Sequence, residues 1–371
     1  MIRLLTIIGA RPQIIKAAAI SRNIRESFSG KMEERILHTG QHYDSNMSQI
    51  FFDELGIPAP DYNLGVGSGH HGEQTAKMID GIEKVLNSEH FDGVILYGDT
   101  NSTLAGAVAA AKLHIPVFHI EAGLRSFNMT MPEEQNRIVC DHLSSILFAP
   151  TQTAVNNLMA EGLPTSRAIF HHGRKRWVIN AGDVMYDNAV YFSKLAEDKS
   201  TILEDCQVTP ERFILATIHR DFNTDNQDRI GSIFKALSSI ADNNEIPVVL
   251  PLHPRTRKFL PPEFSTRIII IPPASFFDIL TLEKNAKLVM TDSGGVQKEA
   301  FFFERPCIIL RPETEWIEIL DSNAGVLADA CYDKIFEAYG ALSKRHVVFP
   351  KLFGDGHAAE RILSSIMNYT L

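Results

Sequence analysis

The stretch Lys287–Pro306, KLVMTDSGGVQKEAFFFERP, decides the fold. Leu288, Val289 and Met290 form the unbroken apolar run expected of a strand buried on both faces. Thr291-Asp292-Ser293-Gly294-Gly295 breaks that run, and Val296–Phe303 reads as a helix. A strand, a glycine turn and a helix start therefore follow one another directly. Backbone N–H groups at Ser293–Val296 lack intrahelical partners, and the helix dipole adds positive charge there, so the turn suits an anionic phosphate. Glu299 falls about one turn inside, where a carboxylate can accept both hydroxyls of a ribose. Glycine turns also end strands for steric reasons alone, so the rest of the chain has to decide between the two readings.

At 371 residues, with 44% hydrophobic and 22% charged residues, the chain has the make-up of a soluble two-domain globular protein. A net charge of -9 argues against nonspecific binding to nucleic acid or to an anionic membrane. An anionic substrate would need a local cluster of Arg, Lys and His. Cys140, Cys206, Cys307 and Cys331 lie far apart without a CxxC pair, as expected of scattered small hydrophobes in a reducing cytoplasm. The N-terminus MIRLLTIIGARP has too short an apolar run for a signal peptide, and no window reaches the length of a transmembrane helix.

Working outward, the same unit recurs. Leu4–Ile8 reads as a strand ending in Gly9-Ala10-Arg11-Pro12, which places Arg11 and Lys16 near the carboxyl end of a parallel sheet. A second strand, Arg35–Thr39, precedes Gly40-Gln41-His42 and a helix through about residue 55. Asp61–Gly72 reads as a glycine-rich loop, and its His70-His71 pair lacks the companions a metal site requires, so no metal is expected. Val94–Tyr97 ends in Gly98-Asp99 and Ile115–Ile120 ends in Glu121, while Pro132-Glu133-Glu134 opens a helix. Each carboxylate alone fits helix capping or the dipole; together they suggest chemistry. Ile146–Ala149 is expected to close this half, and Ser166–Asp187 reads as an irregular basic insertion leading to the linker.

From Phe213 the alternation restarts. It delivers His219-Arg220, then His253-Pro254-Arg255-Thr256-Arg257, then the glycine turn and Arg311. Two similar runs of β/α units predict two Rossmann-like, doubly wound α/β domains facing across a cleft, with boundaries at residues 1–180 and 181–354 and a last segment at 355–371. Cations and a helix start on one wall suit a diphosphate, and carboxylates on the other suit proton transfer. Crowded carboxylates raise one another's pKa values, which lets acid and base coexist near neutral pH.

GARPQIIK (Gly9–Lys16), YGDTNSTLA (Tyr97–Ala105), HIEAGLRS (His119–Ser126), MPEEQNR (Met131–Arg137), IHR (Ile218–Arg220), LHPRTR (Leu252–Arg257) and TDSGGVQKEA (Thr291–Ala300) carry a resemblance that runs in order over nearly the whole chain. The sequence resembles the non-hydrolysing UDP-N-acetylglucosamine 2-epimerase family. Within it, GARPQ, SFNMTMPEE, GDVMYD, HPRTR and the TEW at Thr314–Trp316 look closest to the branch that includes UDP-2,3-diacetamido-2,3-dideoxyglucuronate 2-epimerases. The resemblance implies the GT-B arrangement, a last helix crossing back to the first domain, a homodimer and a reaction without cofactor. It also implies elimination and re-addition of UDP through a 2-acetamidoglycal. Carried over by position, Asp99, Glu121 and Glu133 become acid/base carboxylates with Lys16 beside them, and His219 and Arg11 stabilise the departing diphosphate. Ser293, Gly294 and Gly295 hold phosphate, Glu299 the ribose, and His253 and Arg255 join the substrate-binding set.

The chain departs from the family pattern at Asp221-Phe222, where a small residue and a glutamate usually stand, and in the basic segment 171–177. Three other readings share parts of this pattern: a hydrolysing epimerase, a GT-B glycosyltransferase, and a catalytically silent UDP-sugar sensor. The GARPQ opening disfavours the first, and the three-carboxylate set exceeds what the second requires.

Overall fold

A computed structural model describes residues 1–41, 56–164, 169–171, 174–252 and 256–370. They form two compact units, Met1–Asn188 with Leu352–Leu371, and Ala189–Lys351.

Unit 1 runs β1 (Ile2–Ile8), α1 (Arg11–Glu26), β2 (Met32–His38), β3 (Tyr62–Asn63), α2 (His71–Ser88), β4 (Gly93–Tyr97), α3 (Asn101–Lys112), β5 (Val117–Ile120), α4 (Pro132–Leu143), β6 (Ile146–Ala149), α5 (Gln152–Ala160), β7 (Ile169–His171) and β8 (Arg174–Asn180). The boundary falls within α6 (Val184–Lys199). Unit 2 continues with α7 (Ile202–Asp205), β9 (Ile214–Thr217), α8 (Asp221–Thr224), α9 (Gln227–Asn243), β10 (Val248–Pro251), β11 (Ile268–Ile271), α10 (Phe276–Asn285), β12 (Leu288–Thr291), α11 (Gly294–Phe302), β13 (Cys307–Ile309), α12 (Ile317–Asp321), β14 (Gly325–Leu327) and α13 (Tyr332–Leu342). The last helix, α14 (Ala358–Thr370), returns to unit 1 and packs on α1. There the buried Asp187 carboxylate accepts the Ala358 and Ala359 N–H groups, at 3.0 and 2.8 Å.

The sheet of unit 1 has the order β3-β2-β1-β4-β5-β6-β8-β7, and that of unit 2 the order β11-β10-β9-β12-β13-β14. Every pair is parallel except the β7–β8 hairpin. Both sheets reverse direction between their first and fourth strands, β1/β4 and β9/β12, which makes them doubly wound and Rossmann-like. Ligands of such sheets bind past the carboxyl ends of the strands at that reversal. In unit 2, Ile214 and Ala216 pack on one side with Phe234 and Leu237 of α9, while Leu215 packs on the other with Val249 and Val289. Alternate residues are thus buried on opposite faces, which is why these strands read as unbroken apolar runs.

Two expectations are corrected. His71 lies at the start of α2, an 18-residue helix rather than a loop, which buries Met78, Ile82 and Leu86 at four-residue spacing. Ile146–Ala149 does not close the first sheet. Within the supposed irregular insertion, Trp177–Asn180 pairs in parallel with β6, because the alternation in RKRWVIN buries Arg176 and Val178 on one face. The helix expected after Gly40-Gln41-His42 falls on residues 42–55, outside the described residues.

Candidate active site

In unit 1 the β1 and β4 ends are tied together by Gln13. Its carbonyl accepts the Gly9 and Ala10 N–H groups (2.9 and 3.1 Å), and its amide donates to the Tyr97 carbonyl and the Thr103 hydroxyl (2.9 and 3.0 Å). This places the first turn of α1, with exposed Arg11, beside the turn that carries Asp99. One turn further along α1, Lys16 forms an ion pair with Glu121, and both side chains are nearly buried. Glu121 has φ +69°, a left-handed backbone unusual for a residue with a side chain, which turns its carboxylate off the end of β5.

Asp99, whose side chain is 27% exposed, sits 2.5 Å from Nη2 of Arg137. Burial pushes the Asp99 carboxyl above its usual pKa; Arg137 and Lys16 oppose this, and Glu121 adds to it. Arg137 also donates to Glu134 at 2.9 Å. Glu134 is buried and accepts the Ser126 and Phe127 N–H groups, each at 2.9 Å, so it anchors the loop between β5 and α4. Burial alone would raise its pKa, but the bonds from Ser126, Arg137 and Phe127 hold it below the usual range. Glu133, one residue earlier, is exposed on the first turn of α4.

In unit 2, β9 ends in Ile218-His219-Arg220. The buried Asp292 after β12 accepts the backbone N–H groups of His219 and Arg220 and the Asn223 amide, all within 3.0–3.2 Å. Ser293 caps α11, with its hydroxyl accepting the Val296 N–H. A Cβ on Gly294 would stand 2.3 Å from the Glu315 carboxylate, which is paired with Arg311 at 3.1 Å. Among the described residues, a Cβ on exposed Gly295 would meet nothing closer than Ser293 Oγ at 3.8 Å. Glu299 is half-buried next to Glu283 of α10, a carboxyl fully buried and pushed well above the usual range by that burial and by Glu299. His253 and Arg255 lie outside the described residues. Among the described residues, no group of three or more His, Cys, Asp or Glu is arranged to hold a metal ion, and no helix is long and apolar enough to cross a membrane.

A sequence profile of the UDP-N-acetylglucosamine 2-epimerase family matches residues 26–367. The chain belongs to that family. It is 48% identical over 362 residues to the UDP-2,3-diacetamido-2,3-dideoxy-D-glucuronate 2-epimerase of Pseudomonas aeruginosa, covering 97% of this chain and 98% of that one. The crystal structure of the Methanocaldococcus jannaschii UDP-GlcNAc 2-epimerase in complex with UDP-GlcNAc and UDP superposes with a TM-score of 0.83 at 40% identity, covering 99% and 100% of the two chains. The Neisseria meningitidis UDP-GlcNAc 2-epimerase bound to UDP-GlcNAc gives a TM-score of 0.85 at 27% identity, with 99% and 100% covered. The chain is accordingly an isomerase of the 2-epimerase family.

For this 2-epimerase family member, Asp99, Glu121 and Lys16 are brought into one cluster by three separate elements. Sequence reading missed Glu134 and Arg137, which hold that cluster. The Glu-Glu pair and Arg137 three residues beyond Glu134 were the available signals, since residues three apart meet on one helix face. Asp292 was likewise read only as part of a turn, although its carboxylate organises the His219 loop.

Proposed function

We propose that the protein interconverts UDP-N-acetylglucosamine-type and UDP-N-acetylmannosamine-type nucleotide sugars. A base takes the C2 proton while the C1–O bond breaks and its electron pair leaves with UDP. The result is a 2-acetamidoglycal with a C1–C2 double bond. UDP then adds back at C1 as a proton is delivered to C2 from the opposite face, so the sequence balances without redox chemistry. Asp99, Glu121 and Glu133 serve as the acid/base carboxylates, with Lys16 setting the charge of Glu121. His219 and Arg11 stabilise the departing diphosphate; Ser293, Gly294 and Gly295 bind phosphate at the α11 N-terminus, Glu299 takes the ribose, and His253 and Arg255 complete the set. Stabilising the leaving group contributes several kcal/mol, each ~1.36 kcal/mol being tenfold in rate.

The observation that carries this reading is that Asp99 and Glu121, delivered by adjacent strands, share the field of one lysine. Unequal environments are what separate an acid from a base at one pH. A second reading, the same reaction on UDP-2,3-diacetamido-2,3-dideoxyglucuronate, is favoured by the 48% identity to the enzyme of that name. A cytoplasmic homodimer acting on a free UDP-sugar, without a nucleic-acid or membrane partner, completes the proposal.

Incubation with UDP-N-acetylglucosamine in deuterium oxide, followed by proton NMR, tests the mechanism. Deuterium at C2 of both recovered epimers is expected; recovered sugar without it overturns the elimination. Stoichiometric accumulation of UDP and free sugar would identify a hydrolysing enzyme instead. A panel of UDP-sugars differing at C3 and C6 separates the two substrate readings.

A further inference from the structure

Beneath the carboxylate cluster lies a charged group to which the proposed reaction gives no role. His119 on β5 is fully buried, with Nδ1 2.7 Å from Asp141 Oδ1 and Nε2 2.8 Å from the Gly98 carbonyl. A carbonyl oxygen only accepts, so Nε2 carries a proton. The other Asp141 oxygen already accepts the Gly123 N–H at 3.1 Å and Arg125 Nη1 at 2.8 Å. That environment keeps Asp141 ionised, so Nδ1 is a donor as well. Neutral imidazole has a single N–H, and two donors require the cation.

The charges balance within the group. His119 and Arg125 are positive, Asp141 is negative, and Glu161 closes the set with a bond from Arg125 Nε at 2.7 Å. Burial works against a charged imidazole, but Cys140 and Asp141 on α4 outweigh it and hold the ring well above its usual value.

The two backbone segments tied by this group carry the proposed acid/base residues. Gly98 (φ +60°) precedes Asp99, and Glu121 (φ +69°) and Gly123 (φ +82°) form the second turn. Glycine adopts such backbone freely, but at Glu121, a residue with a side chain, it persists only where the surroundings over-determine it. We propose that His119 is a positioning residue: a buried imidazolium that holds the Gly98-Asp99 turn directly, and the Glu121–Gly123 turn through Asp141, in one fixed geometry. It touches no reacting atom. This inference rests on the proposal that Asp99 and Glu121 move the C2 proton.

The test uses the full chain. Long-range 15N NMR of histidine-labelled wild-type protein, with His119 assigned through its own backbone resonances, should find protons on both ring nitrogens at pH 8, well above the usual imidazole pKa of ~6.5. A singly protonated His119 at that pH overturns the proposal whether or not the variant folds. In kinetics, His119→Asn should lower kcat about 10²-fold, the scale of a small misplacement of catalytic groups, with KM nearly unchanged. Val117→Ala on the same strand, a packing control, should keep kcat. Wild-type kcat in His119→Asn, or an equal loss in Val117→Ala, also overturns it. If instead Asp99→Asn is fully active, the functional proposal itself has failed, a result distinct from an active His119→Asn beside an inactive Asp99→Asn.

Discussion

Asp292 Oδ1 lies 3.0 Å from Nδ1 of His219, and the same carboxylate accepts the backbone N–H groups of His219 and Arg220. A carboxylate at Nδ1 selects the tautomer that leaves Nε2 of the half-exposed ring available for a ligand (53% side-chain exposure). Burial raises the Asp292 pKa, but the bonds from His219 and Asn223 outweigh it and hold it below the usual range. Asp292→Asn should therefore lower kcat on the order of 10²-fold. The sign for stability follows from the depressed pKa. The contribution is present above the unfolded carboxylate value and is lost as pH falls through the folded one. Urea melts between pH 3 and 7 should show that acid-dependent loss shrinking in the variant.

Asp99 carries the opposite shift. Its carboxyl is raised by burial, so the acid limb of kcat/KM should lie above the ordinary aspartate value of 3.8. Arg137→Met removes the nearest opposing cation and should move that limb further up. A raised folded pKa also means stability that is lost as pH rises through it. Asp99→Asn should accordingly melt no lower than the parent at pH 7.5 while losing 10²-fold or more in turnover, roughly the scale of acid–base catalysis.

The adjacent glutamates of α4 should separate cleanly. Glu133→Gln, at an exposed position, should leave the urea midpoint unchanged and abolish epimerisation. Glu134→Ala removes the acceptor of Arg137 Nη1 and of two backbone N–H groups, leaving Arg137 only its pair with Asp99, and should cost about 3 kcal/mol of stability, the scale of a broken buried pair. Equal loss of stability in both variants would contradict this division.

At the start of α11, Gly295→Ala adds a methyl whose nearest neighbour among the described residues is Ser293 Oγ at 3.8 Å. Its melting temperature should hold, whereas its affinity for UDP, measured calorimetrically, should fall about tenfold or more if phosphate approaches this backbone. Gly294→Ala should destabilise as well, because its methyl would displace the Glu315 carboxylate paired with Arg311.

Glu283 lies wholly inside unit 2 against Glu299, with its pKa raised. Its contribution to stability is present at low pH and lost as pH rises. Glu283→Gln should raise the melting temperature at pH 8 more than at pH 5; a lower value at both would argue against the raised pKa.

Much of this was legible from local pattern. The ends of β4, β5, β9 and β12 were readable because each apolar run stops at a glycine or polar turn, and those turns carry Asp99, Glu121, His219 and Ser293. The extension of the first sheet through β8 was not, since a strand beginning RKR hides its pairing when the residue it pairs with is 31 positions away in sequence (Ile146 with Trp177), and only the sheet reveals which arginine turns inward.

By itself the sequence determined two parallel α/β sheets, the family, and which polar residues stand at strand ends, because apolar periodicity and glycine turns act over a few neighbouring residues. Only the tertiary structure decided that Glu134 rather than Glu133 is buried, that Lys16 meets Glu121, and that His119 is bonded on both sides. Those outcomes depend on desolvation and on charges brought within a few ångströms by distant segments, and neither quantity is encoded in local spacing.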